Sequence, residues 1–202
     1  MTIFIRKIFL LFLFNFLSLI VFSQKHHLEI KYVGLGWHPS DEGMNADKMP
    51  LKLDEDGTFM LNIGLVGSLE RYFKEDGKLS LELMGSYSLD CAMVSDLFFH
   101  FGFRGTIFTI GKHSLNGGIG PTILVRRNWH AKIDDYQNLG YFNGDEDDYF
   151  QWKFFWYGGD IEYNYAFNER NFLSVSIIPG FPKYVVLFIG YERRIGKSLK
   201  TE

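Results

Sequence analysis

The chain has 202 residues, 18% of them aromatic, with 21 glycines, 5 prolines and a formal net charge of −3. That balance carries no nucleic-acid footprint, and the single Cys91 excludes an intramolecular disulfide framework. The length suits one domain and not comfortably two, and no internal repeat or interdomain linker divides it.

At the N-terminus, Arg6 and Lys7 precede an apolar run from Ile8 to Phe22, followed by Ser23 where a signal peptidase would read. A run of 15 residues is short of the roughly 20 that a transmembrane helix needs. Residues 1–23 are therefore expected to be a signal peptide. Residues 24–202 are expected to form one exported domain in the outer membrane of a Gram-negative bacterium.

Eight candidate strands follow: 28–38, 58–73, 79–91, 97–110, 115–128, 152–167, 171–179 and 184–195. Their connections alternate between tight turns at 74–78, 111–114 and 168–171 and long polar loops at 39–57 and 129–151. Short turns on one side and long loops on the other are the asymmetry of an outer-membrane barrel. The predicted fold is an all-β, eight-stranded antiparallel transmembrane β-barrel without an evident N-terminal amphipathic helix.

Parity within each strand sorts the faces. Phe59, Leu61, Ile63 and Leu65 are assigned to lipid, as are Phe99, Phe101, Phe103, Ile107, Phe155, Tyr157, Ile161 and Tyr163. Inward positions of the periplasmic half carry every charge assigned to the lumen: Glu29, Lys31, Glu70, Glu82, Arg104, Asp160, Glu162 and Glu192. The outer half is expected to turn Leu35, Met84, Phe98, Trp152, Phe154, Trp156 and Phe188 inward. Apolar walls above an ionic floor suit either an acyl-chain pocket or a plug of interlocked side chains.

Several local motifs lie along this frame in order. Trp37-His38 ends the first strand, Asp90-Cys91 ends the third, Gly102 follows eleven residues on, Arg127-Asn128-Trp129 closes the fifth, and Ile178-Pro179-Gly180 opens the last hairpin. In these the chain resembles the outer-membrane lipid A palmitoyltransferase (PagP) family. The resemblance implies an acyltransferase that moves a palmitoyl chain from a phospholipid donor to lipid A of lipopolysaccharide, as a monomer without a cofactor. It implies His38, Asp90 and Cys91 as the catalytic group, with Gly102 as the floor of an acyl pocket. Met84, Phe98, Trp156, Phe188 and Pro179 would then touch substrate. The chain departs from the family in having cysteine at 91 for serine and no room for the family's leading helix.

The chemistry suits such a site, because imidazole titrates near neutrality and a thiol is a strong nucleophile when ionised. The plainer readings are a solvated rim histidine, a turn aspartate and a small packing cysteine. Ser95 and Asp96 form a second Ser-Asp pair, and His100 faces the lumen near Gly102. His26, His27 and His113 are expected in solvent. The acidic run Asp145–Asp148 reads as a solvated loop or a weak cation site, and nothing has zinc-ligand spacing. Two other functions remain open: a noncatalytic structural or adhesive barrel working through its long loops, and a lipid A deacylase.

Overall fold

Period-2 alternation of large apolar and small or polar residues gives nine strands in the computed structural model, which describes residues 25–38, 43–74, 77–138, 140–180 and 184–196. They are β1 (Lys25–Trp37), β2 (Phe59–Tyr72), β3 (Leu79–Leu89), β4 (Ser95–Ile110), β5 (His113–Arg127), β6 (Phe150–Gly158), β7 (Ile161–Ala166), β8 (Asn171–Gly180) and β9 (Tyr184–Gly196). Every pairing is antiparallel, and β9 returns to β1, so the sheet closes. The strands β6 and β7 lie end to end along β5, the first against its outer residues and the second against His113–Gly117. Together they make one stave, and the barrel has eight. The expected signal peptide lies outside the described residues.

Closure pairs the backbone without free edges, as a hydrocarbon surrounding demands. Outward positions form an apolar belt that includes Ile30, Leu65, Phe99, Phe103, Ile119 and Ile189, all exposed. A soluble surface does not carry so much contiguous apolar area, whereas lipid accepts it. No helix among the described residues is long and apolar enough to cross a membrane.

Two bulges overturn part of the expected facing. In β1 the register shifts after Val33, and Leu35 points outward instead of into the lumen. Beside β5 the register shifts between Gly120 and Thr122, where Gly158, Gly159 and Asp160 interrupt the stave. One extra residue reverses the alternation beyond it. Trp152, Phe154 and Trp156 therefore face out, with Trp156 71% exposed, while Phe155 turns inward at 7%. The expected wall position of Trp156 is thus corrected. Below the break Ile161 and Tyr163 face out and Glu162 faces in, as parity predicts.

Three layers fill the outer and middle lumen, and beneath them a cavity of about 410 Å³ opens at the periplasmic mouth, lined by Glu70, Asn116, Glu192 and Arg194 among others. At mid-height Val66, Met84, Phe98, Phe155, Val186 and Phe188 pack into one apolar cluster, with the Phe98 and Phe188 rings meeting edge to face at 6.1 Å. Met84, Phe98 and Phe188, expected to line a pocket, are parts of this plug. Beneath it the predicted ionic floor is present and buried. Lys31 binds Glu29 at 2.9 Å and Glu162, while Arg104 contacts Glu70, Glu82, Asp160 and Glu162. His27, expected in solvent, is 3% exposed and pairs with Glu192 at 2.7 Å.

Gly102 does not floor a cavity. A methyl group there would lie 2.6 Å from both His100 Nε2 and the carbonyl oxygen of Ile119. A methyl group on Gly120 of the paired strand would lie 2.3 Å from the Phe101 carbonyl oxygen and 2.4 Å from the Gly102 Cα, so β4 and β5 approach backbone to backbone where only glycines fit. Pro179 sits in β8 opposite Val185.

Candidate functional site

The third layer closes the outer mouth. Strand β3 ends at Leu89, so Asp90 and Cys91 fall in the turn to β4 and not in a strand. That turn contains Met93 at φ 58, a left-handed backbone that a side chain adopts only under support. Asp90 supplies it. Its Oδ1 accepts the Ala92 and Val94 N–H groups, each at 2.9 Å, and its Oδ2 accepts the Trp129 indole N–H at 2.7 Å.

Trp129 begins a short 3₁₀ turn, Trp129–Ala131, in the long loop after β5. Its ring packs with Met49, Met60, Cys91 and Val94 in a second buried cluster. Met49 follows the 3₁₀ segment Gly43–Lys48 of the other long loop, so both outer loops meet over the mouth. They are clamped by the Asn45 amide, which donates to the Gln137 carbonyl at 3.1 Å and accepts the Gln137 N–H at 3.2 Å. The Lys48 ammonium adds a bond to the Asp135 carbonyl at 2.6 Å.

Arg126 stands at the centre. Its Nε donates to Gln151 at 3.0 Å and one terminal nitrogen to the Tyr136 hydroxyl at 2.8 Å, while the guanidinium lies 3.9 Å from the Phe142 ring centroid and 4.3 Å from that of Trp129. Such stacking on aromatic faces stabilises a buried cation. Arg126 pairs in register with Asp96, so charge is not confined to the periplasmic half as expected. Its inward position on β5 follows from the parity of Thr122, Leu124 and Arg126, the signal that could have found it. Trp129, Tyr136 and Asn45 carry no comparable local signal, since loop contacts decide them.

Between lid and plug lies a cavity of about 60 Å³ lined by His38, Asp90, Cys91, Asp96 and Arg126 among others. The three residues expected to act together are thus neighbours. That volume holds a few water molecules, Gly102 is not part of its lining, and the space is too small for a palmitoyl chain. Burial and the Arg126 charge hold the His38 imidazole down at about 4, and burial pushes the Asp90 carboxyl up against the opposing pull of Arg126. Cys91 is a buried packing group, 2% exposed. His38 joins the barrel end through its N–H to the Thr58 carbonyl at 2.8 Å.

The other candidates have structural positions. The His100 Nδ1 lies 2.7 Å from the Thr122 hydroxyl, and Ser95 Oγ is 3.3 Å from the Tyr87 hydroxyl on the outer surface. In the acidic run, the Asn128 amide donates to the Asp145 and Asp148 carbonyls at 2.8 Å each, and Asp148 accepts the Asp145 N–H at 2.8 Å. It is a closed turn. Among the described residues no cluster of His, Cys, Asp and Glu has metal-holding geometry.

No family model and no curated protein matches the chain. Solved structures similar to it include Ail, the attachment invasion locus protein of Yersinia pestis, at 11% identity and TM-score 0.48, covering 86% of this chain and 99% of that one. Also similar are the N-terminal β-barrel domain of Pseudomonas aeruginosa OprF, at 14% identity, TM-score 0.45, and 84% and 97% coverage, and the outer membrane protein OprG from Pseudomonas aeruginosa, at 15% identity, TM-score 0.44, and 87% and 99% coverage. These three are small outer-membrane barrels. With no family model behind the palmitoyltransferase resemblance and an apolar plug across the lumen where its acyl pocket was expected, the resemblance and the acyltransferase activity inferred from it are corrected.

Proposed function

We propose that this chain is a noncatalytic outer-membrane barrel, exported by its first 23 residues, which works through the ordered lid formed by its two long outer loops. The reading is structural or adhesive. It is supported above all by the occupied lumen: lid, apolar plug and ionic floor follow one another, and Asp90 and Cys91, which looked catalytic, are engaged in holding the lid. A barrel occupied in this way offers neither an acyl groove nor an open pore, which leaves its outer surface as the part that meets other molecules.

Lipid A from cells with and without the chain should give identical mass spectra. Purified protein in planar bilayers should give no steady conductance, and adhesion of expressing cells should fall when residues 43–58 and 128–149 are replaced by short turns. A lipid A mass that changes with expression would overturn the reading. Adhesion unaffected by loss of both loops would remove the adhesive reading and leave the structural one.

A further inference from the structure

In the periplasmic half of the barrel the charges of the strands point into the lumen. The outward strand positions there hold no carboxylate and no permanent cation among the described residues, with two exceptions: Arg71 on β2 and Arg193 on β9. Alternation fixes their facing, since Glu70 and Glu192 beside them are buried in the lumen.

The two exceptions are neighbours. Strand β1 lies between β2 and β9, with Arg71 in register with His26 and Arg193 in register with Leu28. Two strand spacings and an offset of two residues put their Cα atoms roughly 12 Å apart, so two long side chains turned toward each other bracket a single head group. Among the described residues neither guanidinium has an ion pair or a hydrogen bond. Arg127, an outward arginine at the other end, is engaged instead: it donates to the Tyr149 hydroxyl at 3.0 Å and lies 4.6 Å from that ring's centroid.

Apolar surface continues past both arginines. Phe73, two residues beyond Arg71, is 54% exposed and stacks on Phe103 at 6.2 Å, and Ile195, two beyond Arg193, is 46% exposed. Toward the barrel's middle, Leu28, Ile30 and Ile189 carry the exposed belt onward. The Tyr191 hydroxyl, donating to Asn171 Oδ1 at 2.5 Å, marks the polar level beside Arg193. Both guanidiniums therefore stand within the lower margin of the belt, at the depth of lipid head groups. A lipid-facing arginine is costly unless an anion joins it, and the anion present at that depth is a lipid phosphate. The short turns make this the periplasmic end, whose leaflet is built of phospholipid.

We propose that Arg71 and Arg193 form a binding site for an anionic phospholipid of the periplasmic leaflet, with its phosphate between the two guanidiniums and its acyl chains along Leu28, Ile30 and Ile189. The planar fork of each guanidinium matches phosphate oxygens two at a time. Two adjacent cations favour a head group of net negative charge, such as phosphatidylglycerol, over zwitterionic phosphatidylethanolamine, whose ammonium they repel.

The test is native mass spectrometry of the folded chain released from nanodiscs containing equal parts of phosphatidylglycerol and phosphatidylethanolamine. Wild type should retain phosphatidylglycerol in preference. R71Q and R193Q should each lower the retained fraction about fivefold, and the double variant further. K112Q, in an exposed turn at the same end, should leave it unchanged. Should R71Q not fold, R193Q against K112Q decides. Equal retention of the two lipids, retention that survives both arginine substitutions, or an equal loss in K112Q overturns the proposal. Displacement of the lipid by inorganic phosphate also overturns it and makes the pair a free-phosphate site. Preferential retention of added lipid A, lost in the same variants, overturns the assignment to the periplasmic leaflet.

Discussion

Replacing Asp90 by alanine should release the lid while leaving the barrel folded. The side chain accepts three hydrogen bonds, from the Ala92 and Val94 backbones at 2.9 Å and from the Trp129 indole at 2.7 Å. A buried donor left unpaired costs about 1–3 kcal/mol. The Ala92 N–H is only part-buried and regains water, so the loss should sum to about 3–5 kcal/mol, confined to the loops. Asp90→Asn keeps an oxygen for the two backbone donors but turns an amide N–H toward the indole, so it should lose only about 1–3 kcal/mol. Hydrogen exchange of amides 43–58 and 128–138 reads this directly. Protection should fall by about two to nearly four orders of magnitude in Asp90→Ala and by less in Asp90→Asn, while β2 and β3 stay protected. Because the indole and the carboxylate are partners, Trp129→Phe combined with Asp90→Ala should be less than additive. Wild-type protection of both loops in Asp90→Ala would show that this residue does not hold the lid.

Where β4 and β5 approach, Gly102→Ala should cost about 1–3 kcal/mol in urea unfolding, because the added carbon meets a backbone carbonyl that cannot step aside. Gly105→Ala, whose added carbon would find its nearest contact at 3.6 Å, should be neutral or stabilising, and equal behaviour of the two would refute the close-approach argument. The reversed facing of β6 predicts that Phe155→Ala loses about 3–5 kcal/mol while Trp156→Leu stays within about 0.5 kcal/mol, and the opposite ranking would restore the unbroken alternation. For His38, a base whose folded value of about 4 lies below the ordinary 6.5, the unfolded lid takes up a proton first, so its contribution is complete above pH 6.5 and is lost as pH falls toward 4. Lid protection should drop in that window by up to roughly 2–3 kcal/mol and not do so in His38→Gln, as hydrogen exchange at pH 7 and pH 4.5 would show.

Alternation is a local property, so the barrel, the outward belt and the buried floor were all legible along the chain. Leu61, Ile63 and Leu65 must share a face if they lie in one strand, and Glu70 and Glu82 must then avoid lipid. A single extra residue at Gly158–Asp160 escapes such reading, because glycine is compatible with both faces, yet it turned Trp156 outward and Phe155 inward. Whether the upper lumen is empty or full is likewise no property of any one strand. Met84, Phe98, Phe155 and Phe188 come from four different staves, and their volumes meet only after the barrel closes. The sequence placed His38, Asp90 and Cys91 at one end of the molecule, while the tertiary structure alone set Trp129 and Arg126 beside them. A hydrogen bond from Trp129 to Asp90, 39 residues apart, turns an apparent catalytic carboxylate into the latch of a lid, because buried polar groups take whatever partner the fold delivers.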